Sequence, residues 1–271
     1  MSEPLPKFNH PPVSETALSV QFGPVRGYTS AHSGRFWKEV LGDDWPMATE
    51  APHLPEIFER FGADQMAGNV LVGAINVNVS GLAPRLQFRD KTGERMIQLQ
   101  DTRFVYNWSR GSQHYPSFDK LLPEFEKYFS SFSQFCRSIQ DSDLQLNQWE
   151  VTYVNNFAKD DMWKAPGEWP NIIPQFVFPG ADIKNQNPNT AAVEWQLSIG
   201  DNKGRLHVSL IHGRMGSPGG PEGLVLQLVA RGPLTPDIRI RNGFMCGHEA
   251  IVRTFASMTS KSAHEKWQRT A

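Results

Sequence analysis

The chain has 271 residues, enough to bury about three quarters of its unfolded surface and to hold one or two domains. With 39% hydrophobic and 20% charged residues, and 27 basic against 28 acidic, it is neither disordered nor fibrous, and no global field draws it to nucleic acid or an anionic membrane. No run approaches the ~20 apolar residues of a membrane span, and Met1-Ser2-Glu3-Pro4-Leu5-Pro6-Lys7 lacks the apolar centre of a signal peptide, so a cytoplasmic location is expected.

Asn9-His10-Pro11-Pro12 is a rigid extended entry, because each proline fixes its own φ and moves the preceding residue out of the helical region. In residues 15–22, Thr16, Leu18, Val20 and Phe22 alternate with Glu15, Ala17, Ser19 and Gln21, which predicts a half-buried strand. A helix is expected from Thr29 or Ser30, carrying Phe36, Trp37, Val40 and Leu41 and ending at Trp45-Pro46. Residues 55–61 suggest another helix, and Val70–Val79, bordered by Gly68 and Gly81, a further strand.

One pattern occurs twice. Residues 85–140 read as strand, Asp90-Lys91-Thr92-Gly93 turn, strand, strand and a long helix from near Ser117. Residues 192–260 read as strand, Asp201-Asn202-Lys203-Gly204 turn, strand, strand and a helix from about Phe244. Asp-x-x-Gly between alternating segments supplies residues that tolerate positive φ where the chain reverses. The first of these helices carries Phe118, Leu121, Leu122, Phe125, Tyr128, Phe129, Phe132 and Phe135 at steps of three and four, an aromatic stripe that needs a sheet to cover. In the second unit Val193, Trp195, Leu197 and Ile199 form an apolar face, as do Leu224, Leu226 and Leu228. After the polar break at Gln140-Asp141-Ser142-Asp143 a long strand covers 146–157; residues 160–190 and 213–222 read as loops. The expected fold is α+β: two tandem similar halves, 1–142 and 143–271, each an antiparallel sheet with a long helix on one face.

Candidate chemistry is sparse. No nucleophile elbow, phosphate loop or dinucleotide fingerprint is present. His248-Glu249 lacks a second metal ligand, since the residue four positions on is Val252, and Cys136 and Cys246 do not make a metal site alone, so no metal or cofactor is expected. Asp237-Ile238-Arg239-Ile240-Arg241 reads as a charged edge strand. The strongest site candidate is polar: Arg103, Asn107, Glu150, Tyr153 and Asn155, which either line a cleft between the halves or form structural pairs.

Asn9-His10-Pro11-Pro12-Val13-Ser14-Glu15, Ile97-Gln98-Leu99-Gln100-Asp101-Thr102-Arg103-Phe104 with Asn107-Trp108, and His248-Glu249-Ala250-Ile251-Val252 with Phe255 resemble a sporadically distributed bacterial family of about this length, one that is functionally uncharacterised. The resemblance spans almost the whole chain. It brings no activity, cofactor or catalytic residue, and it implies an accessory role such as that of a mobile or defence-related gene cassette. The leading expectation is therefore a non-catalytic binding or interaction protein that meets a protein partner or itself. The alternative is a small-molecule or nucleotide-handling enzyme using the polar cleft; nucleic-acid binding ranks below both.

Overall fold

The structure, a computed structural model, describes residues 4–59, 61, 83–112, 114–159, 162–177, 190–215 and 219–271. Its strands are β1 (Val13–Phe22), β2 (Met47–Ala51), β3 (Arg85–Arg89), β4 (Arg95–Gln100), β5 (Arg103–Ser109), β6 (Leu146–Ala158), β7 (Ala191–Ile199), β8 (Gly204–Arg214) and β9 (Glu222–Pro233); its helices are α1 (Ser30–Phe36), α2 (Phe118–Gln140), α3 (Ile240–Met258) and α4 (Lys261–Lys266). The α+β class stands. All nine strands join one antiparallel sheet in the order β2-β3-β4-β5-β1-β6-β9-β8-β7. Residues from 1–142 and from 143–271 thus share one sheet and one hydrophobic core, where a sheet in each half was expected. The β1–β6 pair is central, with β5, β4 and β3 stepping outward from β1 and β9, β8 and β7 from β6.

Alternation along the strands sends the apolar set to one side. Val20 sits between Phe104 and Trp149 in the register, and Leu18 between Tyr106 and Val151. The helices cover this side. On α2, Phe125 and Phe132 meet Phe104 with ring centroids 5.7 and 5.3 Å away, and Phe125 meets Phe244 of α3 at 4.9 Å. The aromatic stripe of α2 is buried apart from Tyr128, which is half-buried at its border.

α3 approaches the sheet closely because glycines leave room for Trp149. A Cβ on Gly243 would stand 2.5 Å from the indole, and one on Gly247 2.6 Å from it. Gly204 and Gly232 border the same ring from β8 and β9. The two Asp-x-x-Gly turns differ accordingly. In the first, Gly93 takes positive φ; in the second that role falls to Gly200 and Asn202, while Gly204 is a space-saving residue.

Several expectations are corrected. Residues 55–59 are extended, since Pro52 and Pro55 disfavour helix and the main chain is claimed by the sheet. Asp237–Arg241 is no edge strand: α3 begins at Ile240, after a turn closed by Ile238 N–H donating to Thr235 O at 3.1 Å, and two isoleucines are too short a pattern to separate period 2 from a helix entry. Segment 162–177 is built, not open: Trp163 and Trp169 are fully buried and a 3-10 turn runs over Pro166–Asn171. Of the apolar face on β7 only Ile199 is buried, because the strand lies at the sheet edge; Val193 and Leu197 are exposed. Residues 70–79 lie outside the described residues.

Candidate functional site

The face of the sheet away from the helices is polar. Starting from Gln21, the register places Arg103 beside it on β5 and Gln148 on β6; Gln100 neighbours Arg103 on β4, and Ser19, Glu150, Arg231 and Arg205 follow across β1, β6, β9 and β8. Polar groups on a covered face demand partners, because each one left unpaired costs about 1–3 kcal/mol.

One set of partners is internal. Gln87 Nε2 donates to Gln98 Oε1 (2.9 Å), Gln98 Nε2 to Asn107 Oδ1 (2.7 Å) and Asn107 Nδ2 to Glu15 Oε1 (2.6 Å). Each amide accepts from one neighbour and donates to the next, so the ladder crosses β3, β4, β5 and β1 in one sense and ends on a carboxylate.

The other partner is a strap. Residues 52–59 leave β2 and cross the strands in extended form. Leu54 N–H donates to Gln100 Oε1 (3.0 Å), Ile57 N–H to Gln21 Oε1 (3.0 Å) and Glu59 N–H to Gln148 Oε1 (3.0 Å). Gln100 Nε2 returns a bond to Leu54 O (3.0 Å), and Arg103 Nη2 donates to Pro55 O (3.1 Å) and Gln21 Oε1 (2.6 Å). The spacing has a simple origin. From Gln100 on β4 to Gln21 on β1 is two strand spacings, about 9.6 Å, and three extended residues advance about 10 Å. A chain laid at right angles to the strands therefore meets the glutamines in step.

The strap ends in a charge clamp. Glu59, almost fully buried, lies 3.0 Å from Arg205 Nε, 3.0 Å from Arg231 Nε and 2.5 Å from His207 Nε2. Burial alone would raise its pKa; the His207 hydrogen bond and the charges of His207, Arg231 and Arg205 outweigh burial and hold the carboxyl below the usual carboxylate range. Glu150 lies between Arg231 (3.5 Å) and Arg103 (3.8 Å). Burial, opposed by Glu150 and helped by the like charge of Arg231, pulls the Arg103 guanidinium below its ordinary value. With the strap seated, the space beside Ser19, Arg103 and Glu150 is about 10 Å³, the room of one water.

Of the residues singled out in the sequence, Arg103, Asn107 and Glu150 share this face, whereas Tyr153 and Asn155 point to the helix side. Period-2 geometry puts Glu150 and Tyr153 on opposite faces of β6 whatever surrounds them. Asn155 Nδ2 donates to Leu226 O (3.3 Å) in the core. Tyr153 joins a buried relay: its OH is 2.8 Å from Tyr115 OH and 3.0 Å from His248 Nδ1, and the His248 ring stacks on Phe118 with centroids 4.1 Å apart. Burial is the main reason the His248 imidazole is pushed down to about 4, against Asp119 and Glu249; burial likewise drives the Tyr153 phenol well above its ordinary value. The imidazole is thus neutral near pH 7, and its Nδ1 shares a hydrogen bond with a phenol that keeps its proton.

Sequence reasoning missed Gln21, Gln100, Gln148, Glu59, Arg205, His207 and Arg231. A signal was present: in β4 glutamine stands at the alternate positions Gln98 and Gln100 among Met96, Ile97 and Leu99, and in β6 Gln148 stands two positions before Glu150. Among the described residues no group of three His, Cys, Asp or Glu is placed to hold a metal ion, and no helix is long and apolar enough to cross a membrane. A scan against protein-family models and a search of curated proteins both return no match.

Proposed function

We propose that the protein is a non-catalytic binding module that docks polypeptide on its polar sheet face. The observation that carries this reading is the seating of the strap, whose main chain is read by the side-chain amides of Gln100, Gln21 and Gln148 at matched spacing. Recognition of this kind depends on backbone N–H groups and so accepts many sequences. A small-molecule enzyme is less well supported, because about 10 Å³ remains beside Arg103 and Glu150.

The test uses the full chain carrying Ile57→Pro, which removes the N–H that Gln21 accepts. Adding a pool of short random peptides should shift the side-chain amide resonances of Gln21, Gln100 and Gln148. Resonances that stay fixed while the variant remains folded would refute the docking surface.

We also propose that the halves 1–142 and 143–271 arose by internal duplication in a cytoplasmic protein of an accessory system. The matching strand order outward from β1 and β6 supports the duplication. Superposition of 85–140 on 192–260 tests it, and helices that leave their sheets on unrelated paths would sink it.

A further inference from the structure

The polarity of the strap is inverted. Ile57 and Phe58 are 41% and 53% exposed, while Glu59 and the N–H groups of residues 54, 57 and 59 face the sheet. An ordinary covering loop is held by its apolar side chains. This one is held by polar bonds and one clamped carboxylate, all of which another chain can supply.

Lifting the strap also changes the charge of the face. Arg85, Arg103, Arg205, Arg231 and His207 lie on it with Glu150 among them; Glu59, and Glu56 whose charge acts on Arg103, leave with the strap. The exposed face is then a cationic stripe with a row of amide acceptors alongside. Basic side chains so grouped select a carboxylate, and bonds from charged donors are about twice as strong as neutral ones.

Building on the proposed function, we infer that this face receives an extended acidic segment of a partner protein, which replaces strap 52–59 and seats a carboxylate between Arg205, His207 and Arg231 where Glu59 now sits. Gln100, Gln21 and Gln148 set the path and direction of the incoming chain, and the carboxylate sets its register. The strap acts as a tethered competitor at high effective concentration, so the intact chain binds such a segment weakly and a loosened strap raises the affinity.

The experiment measures fluorescence anisotropy of a labelled peptide with the sequence of residues 51–59, added to the wild-type chain and to full chains with Ile57→Pro or Glu59→Ala. Thermal melts establish that each variant is folded, and either folded variant suffices. The loosened chains should bind at least about tenfold tighter than wild type. A peptide with Glu59→Gln should bind at least about tenfold more weakly, while one keeping that glutamate but alanine at the apolar positions 54, 57 and 58 should stay within about threefold. Equal binding of the Glu59→Gln peptide overturns the inference, and so does binding that needs Leu54 and Ile57. Exchange of straps between two copies, seen as dimers by sedimentation without peptide binding, also overturns it. Random peptides that shift the three glutamine amides, combined with indifference to the carboxylate, leave the docking surface standing and remove only the acidic partner. Peptides that never reach those glutamines remove both.

Discussion

Protonation of His248 should destabilise the protein in a window of pH that carboxylates do not share. The imidazole is neutral in the folded state, with a pKa near 4 against 6.5 for the free side chain. A depressed folded value means that the stability it lends is complete above about pH 6.5 and is lost as pH falls toward 4. Working the linkage from these two values, the wild type loses about 2 kcal/mol between roughly pH 7 and pH 5, and about 3 kcal/mol once both states are protonated. The carboxylates held low, Glu59, Glu124 and Glu222, start from about 4.5 and lose their contribution below that value. Urea unfolding of wild type and His248→Gln across this range isolates the histidine. Glutamine keeps a hydrogen-bonding partner for Tyr153 but does not titrate, so the difference between the two curves should shrink by about 2 kcal/mol on going from about pH 7 to about pH 5. A difference that stays constant across that interval would refute the buried neutral imidazole and the relay through Tyr153 and Tyr115.

Phe125→Ala empties a fully buried site against Phe104, Phe129 and Phe244 and should cost about 3–5 kcal/mol in denaturant unfolding, whereas a loss below about 1 kcal/mol would mean that the stripe of α2 is not core. Gly243→Ala gains about 1 kcal/mol of helix propensity but drives a methyl to 2.5 Å from Trp149; a net loss of about 1–3 kcal/mol is expected, and a more stable variant would contradict the close seating of α3. Glu150→Gln leaves Arg103 and Arg231 without their shared anion; with the carboxylate only partly buried, thermal melts should show a loss of about 1–3 kcal/mol, and unchanged stability would argue against a structural pair.

Elements with long, regular patterns were legible in the sequence. The alternation of β1, the aromatic stripe of α2 and the two Asp-x-x-Gly hairpins each repeat a period often enough to select one structure, and each lies where it was expected. Two short patterns misled. Ile238 and Ile240 offered only one repeat, and Ile57, Phe58 and Phe61 mimic helical spacing in a segment fixed by distant side chains. The candidate site was half legible for the same reason. Arg103, Asn107 and Glu150 stand out as polar residues within strands, but Glu59 is 148 positions from His207 in the chain, and nothing local to either announces the other. Glutamine is also easily passed over, since an uncharged amide in a strand reads as solvent-facing unless something lies above it to be bonded. Val193 and Leu197 show the opposite failure: their alternation says strand, but edge or centre is decided by strand order.

The central place of β1 bears on how the chain is made. Synthesised before both of its partners, β1 waits for β5 at residue 103 and for β6 at residue 146 before both its edges are covered. At about 5–20 residues per second this interval lasts several seconds or more. Once α2 has emerged, the nascent chain has what it needs to assemble β1 with β5, β4 and β3, and it then displays β1 as a naked border carrying Leu18, Val20 and Phe22. Such a border recruits any free strand nearby, including the same strand on a neighbouring ribosome of one polysome. Synthesis that stalls after residue 142 should therefore yield insoluble product, and supplying residues 143–271 in trans should rescue it by delivering β6.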